Sequence, residues 1–122
     1  MENCLFCKII KGKIPSQKVY EDDLVYAFHD INPAAPVHVL VIPKEHIDGA
    51  DKLSEKHSEL IVKLILTAGE IARELQLDNG WRIVTNVLEH GGQTVRHLHF
   101  HLLGGVALGD FGAKNEFRNP CS

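Results

Sequence analysis

Three histidines, His97, His99 and His101, stand at alternate positions in "RHLHFHLL". Imidazole is the side chain that serves as nucleophile, proton carrier and metal ligand near neutral pH. In an extended strand successive side chains alternate faces, so the three rings would share one side and Leu98, Phe100 and Leu102 the other. Neighbouring rings then stand about 6.5–7 Å apart along the strand. That spacing suits two chemistries. Three imidazoles and an open position make a catalytic zinc site, whereas a neutral imidazole can attack phosphorus and later leave, splitting one displacement into two. Just upstream, Gly91-Gly92-Gln93-Thr94 in "EHGGQTV" offers backbone N–H groups and a hydroxyl. Such a turn cradles an anion, which favours a phosphate beside the histidines over a plain hairpin turn.

Two further groups bear chemistry. In "FHDIN", Asp30 could accept hydrogen bonds from neighbouring sugar hydroxyls while Ile31 packs on the ligand, although an Asp before Asn-Pro also forms turns. Cys4 and Cys7 form a C-x-x-C pair that needs two more ligands for a closed zinc site, with His46, His97 and His38 as candidates. A redox role would require this motif at a helix start beside a βαβ unit, which the chain does not offer. Cys121, next to the C-terminal residue, has no expected role. His29, His57 and His90 read as surface residues or polar tips.

The elements that must position these groups follow from periodicity. Residues Cys4 to Lys11 suit a short helix stopped by Gly12, and "SQKVYED" and "DLVYAFHD" form a hairpin around an acidic turn. "VHVLVIP" reads as a central strand ended by Pro43. After Ser54 as N-cap, Leu60, Ile61, Leu64, Ile65, Ala68, Ile71, Ala72 and Leu75 recur at helical spacing up to about Leu77. "WRIVTN" and "HLHFHLL" are two more strands. This order predicts an α+β fold with a mainly antiparallel sheet, in one domain spanning 1–122.

Of the 122 residues 44% are hydrophobic and the formal net charge is -3, which argues against a general nucleic-acid binder. The N-terminal "MENCLFCKII" has an acidic residue and no long apolar run, so neither a signal peptide nor a membrane span is expected, and the expected location is cytoplasmic.

With these residues in place the chain resembles the histidine-triad (HIT) family of nucleotide hydrolases and transferases, whose signature is H-x-H-x-H-x-x with apolar x, here "HLHFHLL". "FCKIIKGKIPS", "AFHDINPAAPVHVLVIPKEHI" and "GWRIVTN" are similar to its nucleoside phosphoramidase branch, as is "GGQTVRHLHFHLLGG", so the likeness covers nearly the whole chain. The resemblance implies a HIT-like sheet of about five strands with one long and one short N-terminal helix. It also implies a homodimer with an extended sheet, and hydrolysis of purine nucleoside phosphoramidates through a nucleotidyl-histidine. It makes His99 the nucleophile, places His101 at the phosphate and leaving group, and sets His97 and His38 beside them. It assigns Asn86, Gly92, Gln93 and Thr94 to the phosphate, Asp30 and Ile31 to the ribose, and Leu5, Phe6, Ile9 and Phe28 to the base. Through the related uridylyltransferases it implies a structural zinc on Cys4, Cys7, His46 and His97, with no catalytic metal. Two features depart from the pattern: Thr94 stands where many relatives carry serine, and the tail "VALGDFGAKNEFRNPCS" lacks a Trp-Pro-Pro ending.

The reading is therefore a hydrolase of AMP-like substrates that binds neither nucleic acid nor membrane. Its activity is expected to fall as pH drops through the pKa of His99, about 6.5 for a free imidazole. The rivals are a zinc-braced binding module with incidental hydrolysis, and a metal-dependent hydrolase that uses all three triad histidines.

Overall fold

Alternation in "VHVLVIP" puts Val39 and Val41 on one face and Leu40 and Ile42 on the other, all buried, so this strand needs cover on both sides. In the computed structural model, which describes residues 3–110, one helix supplies each cover. The elements in chain order are α1 (Leu5–Ile10), β1 (Lys18–Glu21), β2 (Val25–His29), β3 (Val37–Pro43), α2 (Ser58–Glu74), β4 (Trp81–Val84) and β5 (Phe100–Gly104). The five strands form one antiparallel sheet in the order β1-β2-β3-β5-β4, so the expected α+β architecture is the observed one. Cys121 and most of the tail lie outside the described residues.

On one face α2 packs Leu64, Ala68, Ile71 and Ala72 against Val39, Val41, Leu98 and Leu102. On the other, α1 packs Phe6 and Ile9 against Tyr26, Phe28, Leu40 and Ile42. The acidic turn between β1 and β2 is held by Asp22 Oδ1, which accepts from the N–H groups of Leu24 and Val25 at 2.8 Å each. Asp22 also receives the Lys63 ammonium at 2.8 Å, which ties the hairpin to α2.

Four local outcomes differ from the sequence reading. Ser54 heads a 3-10 turn over Glu55–His57, and α2 proper begins at Ser58. His57 is buried at 7% exposure, because its Nδ1 accepts from the Ser54 N–H at 3.0 Å, where a capping box ordinarily uses an acid or amide. The helix also stops at Glu74. Gln76 takes φ +59°, and the Leu77 N–H reaches back to the Ala72 carbonyl at 3.0 Å, a Schellman closure with a non-glycine residue at the left-handed position.

The fourth difference bears on the triad. Only Phe100–Gly104 is laddered, so His97 and His99 precede β5. Pro43 at the end of β3 has no N–H to offer Leu98, and the Leu98 N–H donates to the Ile47 carbonyl at 2.6 Å. The alternation survives nonetheless: Leu98, Phe100 and Leu102 face the α2 core, and the three imidazoles face the other way.

Candidate active site and metal cluster

The protonation of each imidazole is fixed by what its other ring nitrogen touches, because a carbonyl oxygen only accepts and a backbone N–H only donates. His99 is 4% exposed, with its ring edge-to-face to Phe6 at 5.1 Å. Its Nδ1 lies 2.7 Å from the His97 carbonyl oxygen, so Nδ1 carries the proton and Nε2 presents a lone pair. Burial pushes the His99 pKa down, against the opposing pull of that hydrogen bond and of Asp30.

The neighbouring ring has the opposite polarity. The Ala34 N–H donates to His38 Nδ1 at 2.9 Å, so the His38 proton sits on Nε2, and Nε2 lies 2.8 Å from His101 Nδ1. His101 therefore accepts at Nδ1 and keeps its own proton on Nε2. Its ring stands 5.0 Å from that of His99, and Asp30 Oδ2 steadies the relay 3.4 Å from His38 Nε2. Burial, reinforced by His99 and His38, lowers the His101 pKa to about 4, and burial lowers that of His38 as well. All three shifts run downward from the free-imidazole value, so these rings are held neutral to lower pH. A lone pair and a proton thus face one space from adjacent rings.

That space is a cavity of about 310 Å³. Leu5, Phe6 and Ile9 of α1 and Phe28 of β2 line it together with Asp30, Ile31, Thr94, His99 and His101. Leu5, Phe6, Ile9, Phe28, Asp30 and Ile31 thus line one cavity. Leu40, Val95 and Ser16 also line it and were missed; Leu40 was legible from its alternation with His38, while Ser16 had no signal.

The glycine loop behaves otherwise than its composition implies. The N–H groups of Gly91, Gly92 and Gln93 already bond the carbonyls of Leu88 and Glu89 at 3.0–3.2 Å. Gln93 Oε1 accepts from the Leu88 N–H and Arg96 Nη1, while its Nε2 donates to the carbonyls of Asp48 and Val95. Asn86 Nδ2 donates to the Gly91 carbonyl at 2.7 Å. Gly91 is obligatory, since a Cβ there would lie 2.2 Å from the Val87 carbonyl oxygen. Asn86, Gly92 and Gln93 therefore build the loop and do not line the cavity; the loop brings Thr94 to it.

On the far side of His97 a second group gathers. Cys4 Sγ lies 3.3 Å and Cys7 Sγ 3.6 Å from His97 Nδ1, and Cys7 Sγ lies 3.4 Å from His46 Nδ1; all four donor atoms fall within 4.8 Å of one another. His97 Nε2–H donates to the Pro43 carbonyl at 2.9 Å, and His46 Nε2–H donates to Asp48 Oδ1 at 2.8 Å. Both Nδ1 lone pairs consequently point inward at the thiols. Tetrahedral zinc with Zn–N of about 2.0 Å and Zn–S of about 2.3 Å places ligand atoms roughly 3.3–3.8 Å apart, and these distances match. Burial, with Cys4 beside it, raises the Cys7 thiol pKa, so the thiol stays protonated until a cation favours the thiolate. The upstream histidine in the group is His46; His38 belongs to the other cluster.

Residues 11–108 match the family model described as HIT domain. The purine nucleoside phosphoramidase of Escherichia coli strain K12 is 45% identical over 109 residues, covering 88% of this chain and 92% of that protein. The 14 kDa zinc-binding protein of Zea mays is 48% identical over 103 residues, covering 83% and 80%. A solved HIT family hydrolase from Clostridium thermocellum superposes with a TM-score of 0.88 at 50% identity, covering 90% of this chain and 96% of that one.

Proposed function

This chain belongs to the HIT domain family, and from that premise we propose that it hydrolyses purine nucleoside phosphoramidates through a nucleotidyl-histidine. The observation that carries this is the pair of opposite tautomers. The His99 Nε2 lone pair attacks the α-phosphorus, and the P–N bond breaks as the amine nitrogen, held by a hydrogen bond from His101 Nε2–H, leaves with a proton taken from solvent. A P–Nε2 bond to His99 now exists. Water then attacks phosphorus and gives up its proton to solvent; the P–Nε2 bond breaks, and nucleoside monophosphate and free His99 return. His38 positions His101 by holding the proton direction of the relay.

Around this step Asp30 accepts from the ribose hydroxyls beside Ile31, and Leu5, Phe6, Ile9 and Phe28 enclose the base. Thr94 donates to the phosphoryl oxygens, with Asn86, Gly92 and Gln93 holding its loop. The four-donor cluster fits a zinc ion on Cys4, Cys7, His46 and His97. Such an ion supplies a fixed charge that locks the His97 ring, and the His97 carbonyl is what orients His99. The rival use of all three triad histidines on one metal is disfavoured by their lone pairs: His97 presents Nδ1 to the cysteines, His99 presents Nε2 to the cavity, and His101 Nδ1 is occupied by His38.

The partner we propose besides the nucleotide is a second copy of the chain. Val62, Ile65 and Leu66 on α2 are 56%, 45% and 59% exposed, and beside them Trp81, 40% exposed, sits on β4 at the sheet edge. Covering that face and pairing that edge joins two sheets into one. The unpaired thiols of Cys4 and Cys7 suit a cytoplasmic location, and among the described residues no helix is long and apolar enough to cross a membrane.

The reading is tested by mixing protein with adenosine monophosphate linked to an amine and quenching rapidly for intact mass. The parent gains one nucleotidyl group and turns over, while His99→Ala does neither and binds AMP within about tenfold of the parent. An adduct on His99→Ala would reassign the nucleophile.

A further inference from the structure

The end of the cavity formed by residues 14–16 carries a hydroxyl pair that the proposed reaction does not use. Tyr26 lies two residues before Phe28 on β2, so both rings share one face of the sheet, 5.8 Å apart. It is 7% exposed, and its Oη meets Ser16 Oγ at 2.7 Å. Ser16 lines the same cavity as His99 and His101. The strand order sets the scale: β2 is two strands from β5, about 10 Å, and Ser16 lies beyond it, before β1. Laid out from a phosphate beside His99, a two-ring base extends further toward that end than a one-ring base does.

Two hydroxyls in one hydrogen bond use one of their two protons, and neither oxygen has a further partner among the described residues. Of the two, Ser16 lines the cavity, so the pair presents its free O–H to a ligand there through Ser16, next to walls made by Phe6, Ile9 and Phe28. Polar groups placed at one point of an apolar cavity fix a ligand's orientation and identity.

We propose that Ser16 and Tyr26 read the outer edge of a purine base, donating the free hydroxyl proton to an acceptor there, and so set the preference for purine over pyrimidine nucleotides. The proposal rests on the nucleotide reading of the cavity. A pyrimidine leaves the pair unmet, and a site built to hydrogen-bond discriminates through the groups a wrong ligand leaves unpaired.

The test is calorimetric titration of AMP, CMP and ribose 5-phosphate into the parent, Ser16→Ala and Tyr26→Phe. Tyr26→Phe keeps the ring that packs in the core, and Ser16→Ala removes one half-buried oxygen, so both should fold. The parent is expected to bind AMP at least tenfold more tightly than CMP. Each variant should lose about five- to tenfold in AMP affinity while CMP and ribose 5-phosphate move less than about twofold. Unchanged AMP affinity in both variants, equal losses for all three ligands, or a parent that does not distinguish AMP from CMP would overturn the proposal and leave the nucleotide reading standing. A parent that binds none of the three overturns both.

Discussion

Two clusters with donor atoms gathered within 4.8 Å lie on either side of His99, and they invite the same metal-site interpretation. One is Cys4, Cys7, His46 and His97; the other is Asp30, His38 and His101. They differ in what holds the outer ring nitrogens. In the first, Pro43 and Asp48 accept N–H groups from His97 and His46, which turns both lone pairs inward. In the second, the Ala34 N–H occupies the His38 lone pair, so a proton and not a lone pair faces His101 and Asp30. Seating a cation there requires the other tautomer, with two donors facing each other at Ala34, a loss of roughly 1–3 kcal/mol for that buried pair. Side-chain composition brings ligands together; one backbone contact decides whether they bind a metal or present a proton.

The largest expected effect removes a ligand from the first cluster. Cys7→Ser should lose the metal and several kcal/mol of stability, because binding free energy at a closed site is folding free energy. Metal analysis and thermal melting check this, and full metal content in that variant would erase the contrast. In the second cluster His38→Asn should retain one metal per chain while kcat falls about 100-fold, since His101 loses the donor that orients its proton. KM should change little. Loss of metal on that substitution would mean the clusters are not separate.

A smaller effect is expected at the outer partner of the first cluster. Asp48→Ala leaves the His46 N–H without its carboxylate, and metal affinity measured by chelator competition should fall about 10-fold or more. The smallest comes from acid. His38 and His101 are held neutral in the fold with pKa values below those of the unfolded chain, so between the two values the unfolded state binds more protons. Their neutral burial costs nothing extra above about pH 6.5, and stability is lost as pH falls from there toward the folded value of about 4. The melting temperature should drop by about 3–5 °C between pH 7 and 5 from this cause. In His101→Asn, measured in parallel, that drop should shrink; an unchanged slope would place its origin elsewhere.

Much of this site is legible from residue type alone. Three alternating histidines, a C-x-x-C pair and aromatic residues flanking "FHDIN" are uncommon enough, and spaced regularly enough, that strand and helix periodicity places them together. What escapes a reading of residue types is set by the backbone. The tautomers of His97, His99 and His38 depend on the carbonyls of Pro43 and His97 and on the Ala34 N–H, groups that every residue or nearly every residue carries. The glycine loop reads as an anion cradle because composition does not reveal that its N–H groups already bond Leu88 and Glu89. His57 reads as a surface residue for a related reason: only the path of the chain after Ser54 shows that its ring closes the turn. The start of β5 is misplaced by alternation because the missing N–H of Pro43 matters only once β3 and β5 are known to pair.

The division of the two clusters by opposite tautomers is open to direct measurement, by long-range ¹H–¹⁵N correlation of the histidine rings in the metal-loaded protein at pH 7. The expected result is an Nδ1–H signature for His99 and Nε2–H signatures for His38, His101, His46 and His97, with the metal on the Nδ1 atoms of the last two. A His38 ring protonated at Nδ1, or a His99 ring protonated at Nε2, would contradict it.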